Sequence, residues 1–102
     1  MNAARALLEM LQRYQVEYVF GLPGETTLGL YDEWKRFEGV THVMARDERH
    51  AVFMADGYAR VSGRPGVCEG PSVGATHMVP GLVEAMKSCI PLIVMTTDIP
   101  LG

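Results

Sequence analysis

The apolar residues of this chain follow two alternating patterns. Short runs of apolar and β-branched residues are typical of buried strands, whereas longer segments with apolar residues three or four positions apart are typical of helices with one buried face. The two kinds of segment alternate from one end of the sequence to the other. The pattern predicts helices at 2–14, 26–37, 48–62 and 75–88, and strands at 16–20, 40–45, 67–69 and 91–97.

Several boundaries of these segments carry residues that start or stop a helix or strand. Asn2 and Asp47 have side chains that accept hydrogen bonds from the free N–H groups of a first helical turn. Gly39 and Gly63 follow the second and third helices, where glycine tolerates the backbone conformation that ends a helix. Residues 21–24, with the sequence GLPG, end the first strand, since proline cannot continue a strand ladder.

The alternation of helix and strand predicts the fold class. Strands joined through helices by short connections form a parallel sheet with right-handed crossovers, and the helices cover both faces. We therefore predict an α/β protein with an open parallel sheet in three layers, of the flavodoxin-like kind. The sequence stops directly after the fourth strand, at residue 102. We therefore interpret residues 1–102 as one partial domain, truncated after that strand, or as one subunit of a larger assembly.

Composition narrows the classes of function. Apolar residues make up 48% of the chain and charged residues 21%, which is typical of a globular core. The net charge is −3 and no cluster of Lys and Arg occurs, so we predict no nucleic-acid partner. No apolar run reaches the roughly 20 residues of a membrane span, and the N-terminus lacks the apolar segment of a signal peptide. We therefore expect no membrane association.

The two cysteines lack the spacing of a metal site. Cys68 falls in a predicted strand and Cys89 at a predicted helix end. We expect two buried free thiols rather than a disulfide, which fits the reducing conditions of the cytoplasm.

Glu48 is the residue of this sequence best placed for a chemical role. It lies in the first turn of the third predicted helix, just after the carboxyl end of a predicted strand. In open α/β sheets, ligands bind at that edge. A glutamate in a first helical turn more often serves the helix dipole or a cap, so the position alone leaves both roles open.

Three segments together resemble a known family. They are residues 46–60 (RDERHAVFMADGYAR), residues 19–24 (VFGLPG), and Gly74-Ala75-Thr76 followed by residues 91–94 (PLIV). In their order and spacing they resemble the N-terminal pyrimidine-binding domain of thiamine-diphosphate enzymes of the acetolactate synthase and pyruvate decarboxylase group. The resemblance runs from near Asn2 to Pro100.

The resemblance implies a role for each matching residue. Glu48 would meet N1′ of the aminopyrimidine ring and thereby activate thiamine diphosphate. Pro23, Gly24, Gly74 and Thr76 would lie against the cofactor. Mg²⁺ and the diphosphate would be held by a second domain, whose Gly-Asp-Gly motif does not occur in this sequence. The active site of such enzymes lies between subunits, so the resemblance also implies a homo-oligomer and no catalysis by this chain alone.

Two further residues are candidates for proton transfer on the substrate side. Glu25 follows Pro23 and Gly24, where the decarboxylase branch of the family uses an acidic residue, but it can equally be an acidic residue at a helix start. His77 stands where relatives often have asparagine. We interpret His42 and His50 as structural or surface residues, and residues 56–60 as scaffold in which Arg60 pairs with an acid.

Two classes of function remain open. The first is part of an enzyme that decarboxylates or ligates small 2-oxo acids, a lyase or transferase, with Glu48 in the catalytic role. The second is a non-catalytic interaction module or split-gene subunit that keeps the fold for association. A flavodoxin-like binder of small ligands rests on fold analogy alone.

Overall fold

Helices and strands alternate along residues 1–99, which are the residues that the computed structural model describes. The end of the family resemblance, at Pro100, therefore lies outside the described residues. The helices are α1 (Ala3–Arg13), α2 (Leu28–Trp34), α3 (Glu48–Ser62) and α4 (Val79–Lys87), with 3₁₀ helices at Glu25–Thr27 and Ser72–Met78. The strands are β1 (Tyr18–Gly21), β2 (Thr41–Met44), β3 (Gly66–Gly70) and β4 (Leu92–Thr96).

All strand pairs in this sheet are parallel, in the order β2-β1-β3-β4. Gly21 is in register with Met44 on one side and with Glu69 on the other. Gly70 is in register with Thr96. The carboxyl ends of the strands therefore meet at one edge of the sheet. The predicted α/β fold with a parallel sheet is confirmed.

The helices form one layer on each face of the sheet. Alternate residues of a strand point to opposite faces. Val19 and Val67 pack on the face covered by α1 and α2, together with Leu8, Leu11, Trp34, Phe37 and Val40. Phe20 and Cys68 point to the other face and pack with Ala51, Val52 and Ala55 of α3, with Met78 of the 3₁₀ helix and with the partly buried Leu82 of α4.

The predicted caps of α1 and α3 are present. The Asn2 side chain accepts a hydrogen bond from the backbone N–H of Arg5, and Asp47 accepts one from Arg49. Gly63 ends α3 in the left-handed conformation, with φ +70°. Thus α3 begins and ends where its sequence predicts.

The second predicted helix is too long. Its first turn is the 3₁₀ helix Glu25–Thr27, and α2 ends at Trp34 rather than at residue 37. The backbone N–H of Phe37 bonds to the carbonyl of Trp34 three residues earlier, so the chain leaves the α-helix through a tighter turn. Gly39 has φ +117° but lies beyond the helix end.

The start of the fourth helix was also predicted wrongly. Residues Ser72–Met78 form a 3₁₀ helix, and α4 begins only at Val79. The reason is Pro80, which lacks a backbone N–H and whose ring would collide with the carbonyl four residues earlier inside an α-helix. Proline is tolerated in a first turn, and Pro80 lies there in α4.

Strand β4 forms one edge of the sheet within residues 1–99. Its residue Ile93 is 46% exposed. Cys68 and Cys89 are free thiols; Cys68 is buried as expected, whereas Cys89 is exposed. None of the helices in the described part of the chain has the length and apolar character required to cross a membrane.

Candidate functional site

Glu48 lies at the carboxyl edge of the sheet, as the first residue of α3. Three residues connect it to the end of β2. The backbone N–H of Ala45 bonds to the carbonyl of Gly21 at 2.8 Å, so this connection is held to β1 from its first residue. Glu48 is only 9% exposed. A carboxyl group is thus held largely buried at the edge where open α/β sheets bind ligands.

The 3₁₀ helix Ser72–Met78 encloses the Glu48 carboxyl group. A Cβ atom added to Gly74 would lie 2.2 Å from Glu48 Oε1, so only glycine leaves room for this carboxylate. Nδ1 of His77 lies 3.2 Å from Glu48 Oε2. Gly70 lies against the methylene groups of the same side chain, where an added Cβ would be 3.1 Å from Cγ. Both carboxylate oxygens are therefore approached by the segment that follows β3.

Asp47 and Arg49 are charged residues on either side of Glu48 at this end of α3. The backbone N–H of Arg49, then its guanidinium group, hold the pKa of the Asp47 carboxyl below its usual range. His77 Nδ1 is 3.8 Å from Asp47 Oδ2. Atoms of Asp47, Glu48 and His77 lie within 4.8 Å of one another, a spacing that a cation could bridge. The two acids already have Arg49 and His77 as partners, and we assign no metal here.

The loop after β1 forms the next part of the edge. Gly24 lies against Pro71, because a Cβ on Gly24 would be 2.5 Å from the proline ring. The Thr27 hydroxyl accepts a hydrogen bond from the Gly24 N–H at 3.0 Å and fixes this turn. Glu25 is exposed. It borders a cavity of about 610 Å³, which is lined by residues 24–26, 71–74, 98 and 99.

Thr97 joins the two loops that border this cavity. Its hydroxyl lies 2.5 Å from the hydroxyl of Thr26 and accepts a hydrogen bond from the Ser72 N–H at 3.2 Å. Thr97 directly follows β4, so the end of that strand holds the loop after β1 beside the loop after β3. Sequence reasoning did not single out Thr97, because an isolated threonine after a strand carries no local signal.

The predicted site residues are thus brought to one edge, but not all into contact. Gly74 and His77 contact Glu48, and Glu25 shares the cavity with Gly74. Within residues 1–99, Glu25 makes no hydrogen bond or ion pair with Glu48. The Thr76 hydroxyl donates to the carbonyl of Val73 at 2.8 Å, so it serves its own turn. Pro23 is half-buried in the loop after β1.

Comparison with known families shows the family to which the chain belongs. Residues 1–102 match the family model described as thiamine pyrophosphate enzyme, N-terminal TPP binding domain. The chain belongs to this family.

Relatives of this thiamine pyrophosphate enzyme domain include a probable decarboxylase and several acetolactate synthases. The chain is 44% identical over 100 residues to a probable 2-ketoarginine decarboxylase of Pseudomonas aeruginosa, covering 95% of the chain and 17% of the relative. It is 41% identical over 102 residues to the chloroplastic acetolactate synthase 3 of Brassica napus, covering 97% and 15%. It is 40% identical over 101 residues to the acetolactate synthase large subunit of Lactococcus lactis, covering 96% and 17%. The chain therefore spans about a sixth of the length of these relatives.

One buried cluster in this TPP-binding domain was missed by sequence reasoning. Glu69, at the end of β3, is 1% exposed and accepts a hydrogen bond from the Tyr31 hydroxyl through Oε1. His42 Nε2 lies 2.7 Å from the same hydroxyl and 3.5 Å from Glu69 Oε1. Burial, then the bond to Glu69, raises the pKa of Tyr31. Glu69 Oε2 has no partner among the described residues.

Glycine makes room for this cluster as it does for Glu48. A Cβ on Gly21 would lie 2.1 Å from Glu69 Oε1. The available signal was an acidic residue inside an otherwise apolar strand, Val67-Cys68-Glu69. His42 is half-buried within this cluster, and His50 lies on the surface.

The string at residues 56–60 acts as scaffold. Arg60 donates to Asp56 at 2.7 Å and reaches Glu84 of α4 at 3.4 Å, which links α3 to α4. These hydrogen bonds raise the pKa of Arg60. Close packing of the same two helices depends on Gly81, where a Cβ would lie 2.5 Å from Val52. The predicted pairing of Arg60 with an acid is confirmed.

Proposed function

We propose that this chain supplies the aminopyrimidine side of a thiamine-diphosphate site, with Glu48 as the residue that meets the pyrimidine ring. The observation that carries the proposal is the largely buried Glu48 carboxyl group at the carboxyl edge of the sheet, whose Oε1 lies in the space that a side chain at Gly74 would fill. Membership of the TPP-binding family identifies the class of cofactor.

The residues present fit such a group. Within residues 1–99, Oε2 of Glu48 has His77 as its hydrogen-bond partner, whereas Oε1 has none. An oxygen that is mostly shielded from water can hold or accept a proton at a ring nitrogen, because a low local dielectric strengthens such a hydrogen bond. Pro23, Gly24 and Thr76 belong to the two loops beside Glu48, and we propose that they line the cofactor.

Each partner has a separate task in this scheme. When bound, thiamine diphosphate supplies the electron sink for breaking or forming a bond beside a carbonyl carbon. Glu48 holds the proton at its carboxylate and keeps the ring in place. We propose that Mg²⁺ and the diphosphate are held by another domain or subunit, since the Gly-Asp-Gly motif of the family's second domain does not occur in residues 1–102. The chain alone is then inactive.

We propose that the complete protein decarboxylates small 2-oxo acids or ligates the product to an acceptor, as a lyase or transferase. The names of the relatives, a 2-ketoarginine decarboxylase and acetolactate synthases, support this class of substrate. Glu25 borders the cavity beside Gly74, which supports a role in proton transfer on the substrate side. The cytoplasmic location expected from the two thiols stays a prediction.

An exposed apolar stripe supports association with a partner. Val79, Val83 and Met86 lie on one side of α4 at helical spacing, and they are 53%, 41% and 74% exposed. Exposed apolar patches larger than a few hundred Å² mark interaction sites, and we propose that this stripe belongs to one. We propose that the working protein is a homo-oligomer. The same stripe favours the alternative function, a non-catalytic interaction module.

The test is Glu48→Gln in the complete protein, with Glu38→Gln as the matched control on the exposed surface. We expect Glu48→Gln to slow exchange of the C2 proton of bound cofactor by at least about 100-fold, the range in which acid–base groups contribute. Glu38→Gln should leave the rate unchanged. An unchanged rate in Glu48→Gln contradicts the assignment.

Gel filtration separates the enzyme from the interaction module. If the chain forms half of a cofactor site, its association with a diphosphate-binding domain should strengthen when thiamine diphosphate and Mg²⁺ are added. Association that is equally strong with and without the cofactor favours the non-catalytic module.

A further inference from the structure

His77 makes a direct contact that binding of a cofactor does not by itself explain. Its Nδ1 lies 3.2 Å from Glu48 Oε2, and the Glu48 side chain is only 11% exposed. The His77 ring is 55% exposed, so it remains hydrated while one nitrogen reaches the buried acid. The pair links α3 to the 3₁₀ helix Ser72–Met78, 29 residues apart in sequence.

The 3₁₀ conformation places His77 where it can act together with Gly74. In a 3₁₀ helix, residues three positions apart lie one above the other, because one turn takes 3.0 residues. Gly74 and His77 have this separation within Ser72–Met78. Gly74 leaves space for Glu48 Oε1, and His77 contacts Oε2. An α-helix over the same residues, with 3.6 residues per turn, would rotate the two positions apart.

We propose that His77 is a positioning residue for Glu48: its Nδ1–H donates to Oε2, fixes the carboxylate and leaves Oε1 for the ligand. The proposal rests on the proposed function of Glu48. It differs from the role of His77 as an acid or base on the substrate, because here the imidazole acts only through Glu48.

The neighbouring charges favour this arrangement. Asp47 is the second acid near Nδ1, at 3.8 Å, which exceeds hydrogen-bond distance. Asp47 is itself engaged by Arg49, whose backbone N–H and guanidinium group both donate to Oδ1. Glu48 Oε2 is thus the acceptor within reach of Nδ1. A proton on Nδ1 satisfies this oxygen, whereas the other neutral tautomer would place two acceptors against each other.

The first experiment uses C2-proton exchange of bound cofactor in the complete protein. Hydrogen bonds to charged groups are stronger than those between neutral groups, but the exposure of His77 weakens this one, so His77→Ala should slow exchange about 10-fold. His77→Asn should restore the rate to within about 3-fold, because the asparagine amide can donate from nearly the same place. Equal loss in both variants would show that a hydrogen-bond donor at this position does not maintain the rate, and would overturn the proposal.

A double-mutant cycle separates this proposal from the function of Glu48 itself. If His77 acts through Glu48, adding His77→Ala to Glu48→Gln should change the rate by less than about 2-fold, since contacting residues do not contribute additively. If Glu48→Gln abolishes exchange but His77→Ala alone has no effect, the positioning role is wrong while the function of Glu48 stands. If Glu48→Gln has no effect, the proposed function fails first.

A readout without cofactor tests the hydrogen bond directly. In protein labelled with ¹⁵N-histidine, the His77 signal should report a proton on Nδ1, identified by its disappearance in His77→Asn. Glu48→Leu removes the acceptor and should shift the ring towards the Nε2–H tautomer. His42→Gln serves as a control that leaves the His77 signal in place. A His77 ring that already carries its proton on Nε2 contradicts the proposal.

Discussion

Gly74 lies so close to Glu48 that a Cβ on residue 74 would stand 2.2 Å from Glu48 Oε1 and 2.5 Å from Cδ. Real side chains do not approach so closely, so a larger residue at 74 must displace the carboxyl group. The carboxyl group is the mobile end of a flexible side chain, so it can move without disturbing the core. The relationship therefore predicts a loss of function with little loss of stability.

Gly74→Ala tests this relationship. If Glu48 acts as proposed, a displacement of about 1 Å should lower kcat/KM about 100-fold, because misplacement on that scale has such an effect. The free energy of unfolding should change by less than about 1 kcal/mol. Steady-state kinetics and urea unfolding of the complete protein measure the two quantities.

Gly57→Ala is the matched control. Gly57 lies inside α3, and a Cβ there would meet nothing within 4 Å. We expect unchanged kinetics and a gain in stability of about 0.5–1 kcal/mol, because glycine is unfavourable inside a helix. Equal activity of the two glycine variants would show that Gly74 has no bearing on Glu48.

Tyr31→Phe tests the buried cluster at the end of β3. The substitution removes the hydroxyl that donates to Glu69 and lies 2.7 Å from His42 Nε2. Glu69 would then keep only His42 Nε2, 3.5 Å from Oε1, as a polar neighbour, so we expect a loss of about 1–3 kcal/mol in the free energy of unfolding. Urea titration measures it. Tyr14→Phe, at a side chain that is 79% exposed, should change stability by less than about 0.5 kcal/mol.

Cys68 and Cys89 should react very differently with iodoacetamide. Burial, with a smaller contribution from the charge of Glu69, raises the pKa of the Cys68 thiol to about 12. The thiolate is the reactive form, so native Cys68 should stay unmodified near pH 8 while exposed Cys89 is alkylated. Mass spectrometry of tryptic peptides measures both. Rapid labelling of Cys68 in native protein would contradict its burial.

The raised pKa of Cys68 also predicts the stability at alkaline pH. Above the usual thiol value of 9.0, the unfolded chain loses this proton before the folded one. The folded state then binds more protons, so the free energy of unfolding falls as pH rises, by at most about 1.4 kcal/mol per unit. Cys68→Ala should lose this alkaline dependence, whereas Cys89→Ala should keep it.

Asp47 predicts the opposite behaviour in acid. Its pKa is below the usual value of 3.8 in the folded state, mainly because it accepts the Arg49 N–H. Stability from this charge is therefore present above that value and is lost as pH falls through the folded-state pKa. Asp47→Ser keeps a capping oxygen without the charge. Thermal unfolding of both proteins from about pH 5 to pH 2 should show a difference that narrows in acid.

Local pattern was sufficient to predict most of this fold. Asn2, Asp47 and Gly63 predict helix ends because capping involves only residues close in sequence. The strands were predicted because apolar runs bounded by turns are also local. Two helix boundaries were predicted wrongly. Pro80 moves the start of α4 to Val79, and a tight turn ends α2 at Trp34.

The candidate site was predicted only in part. The resemblance singled out Glu48 and Gly74, and the structure brings them into contact. The contact of His77 with Glu48 depends on a 3₁₀ helix, whereas the apolar pattern predicted an α-helix there. Thr97 and Glu69 had no local signal that identified their partners.

The order of residues along this chain was enough to specify an α/β alternation and an acid at the end of a strand. That information is local because hydrogen bonds within a helix and turn chemistry act over a few positions. Tertiary structure alone decided that Glu48 meets His77 and Gly74, and that Glu69 meets Tyr31 and His42. Those pairs are 26 to 38 residues apart. Their contact depends on the packing of helices onto the sheet, a sum over many side chains that no single segment contains.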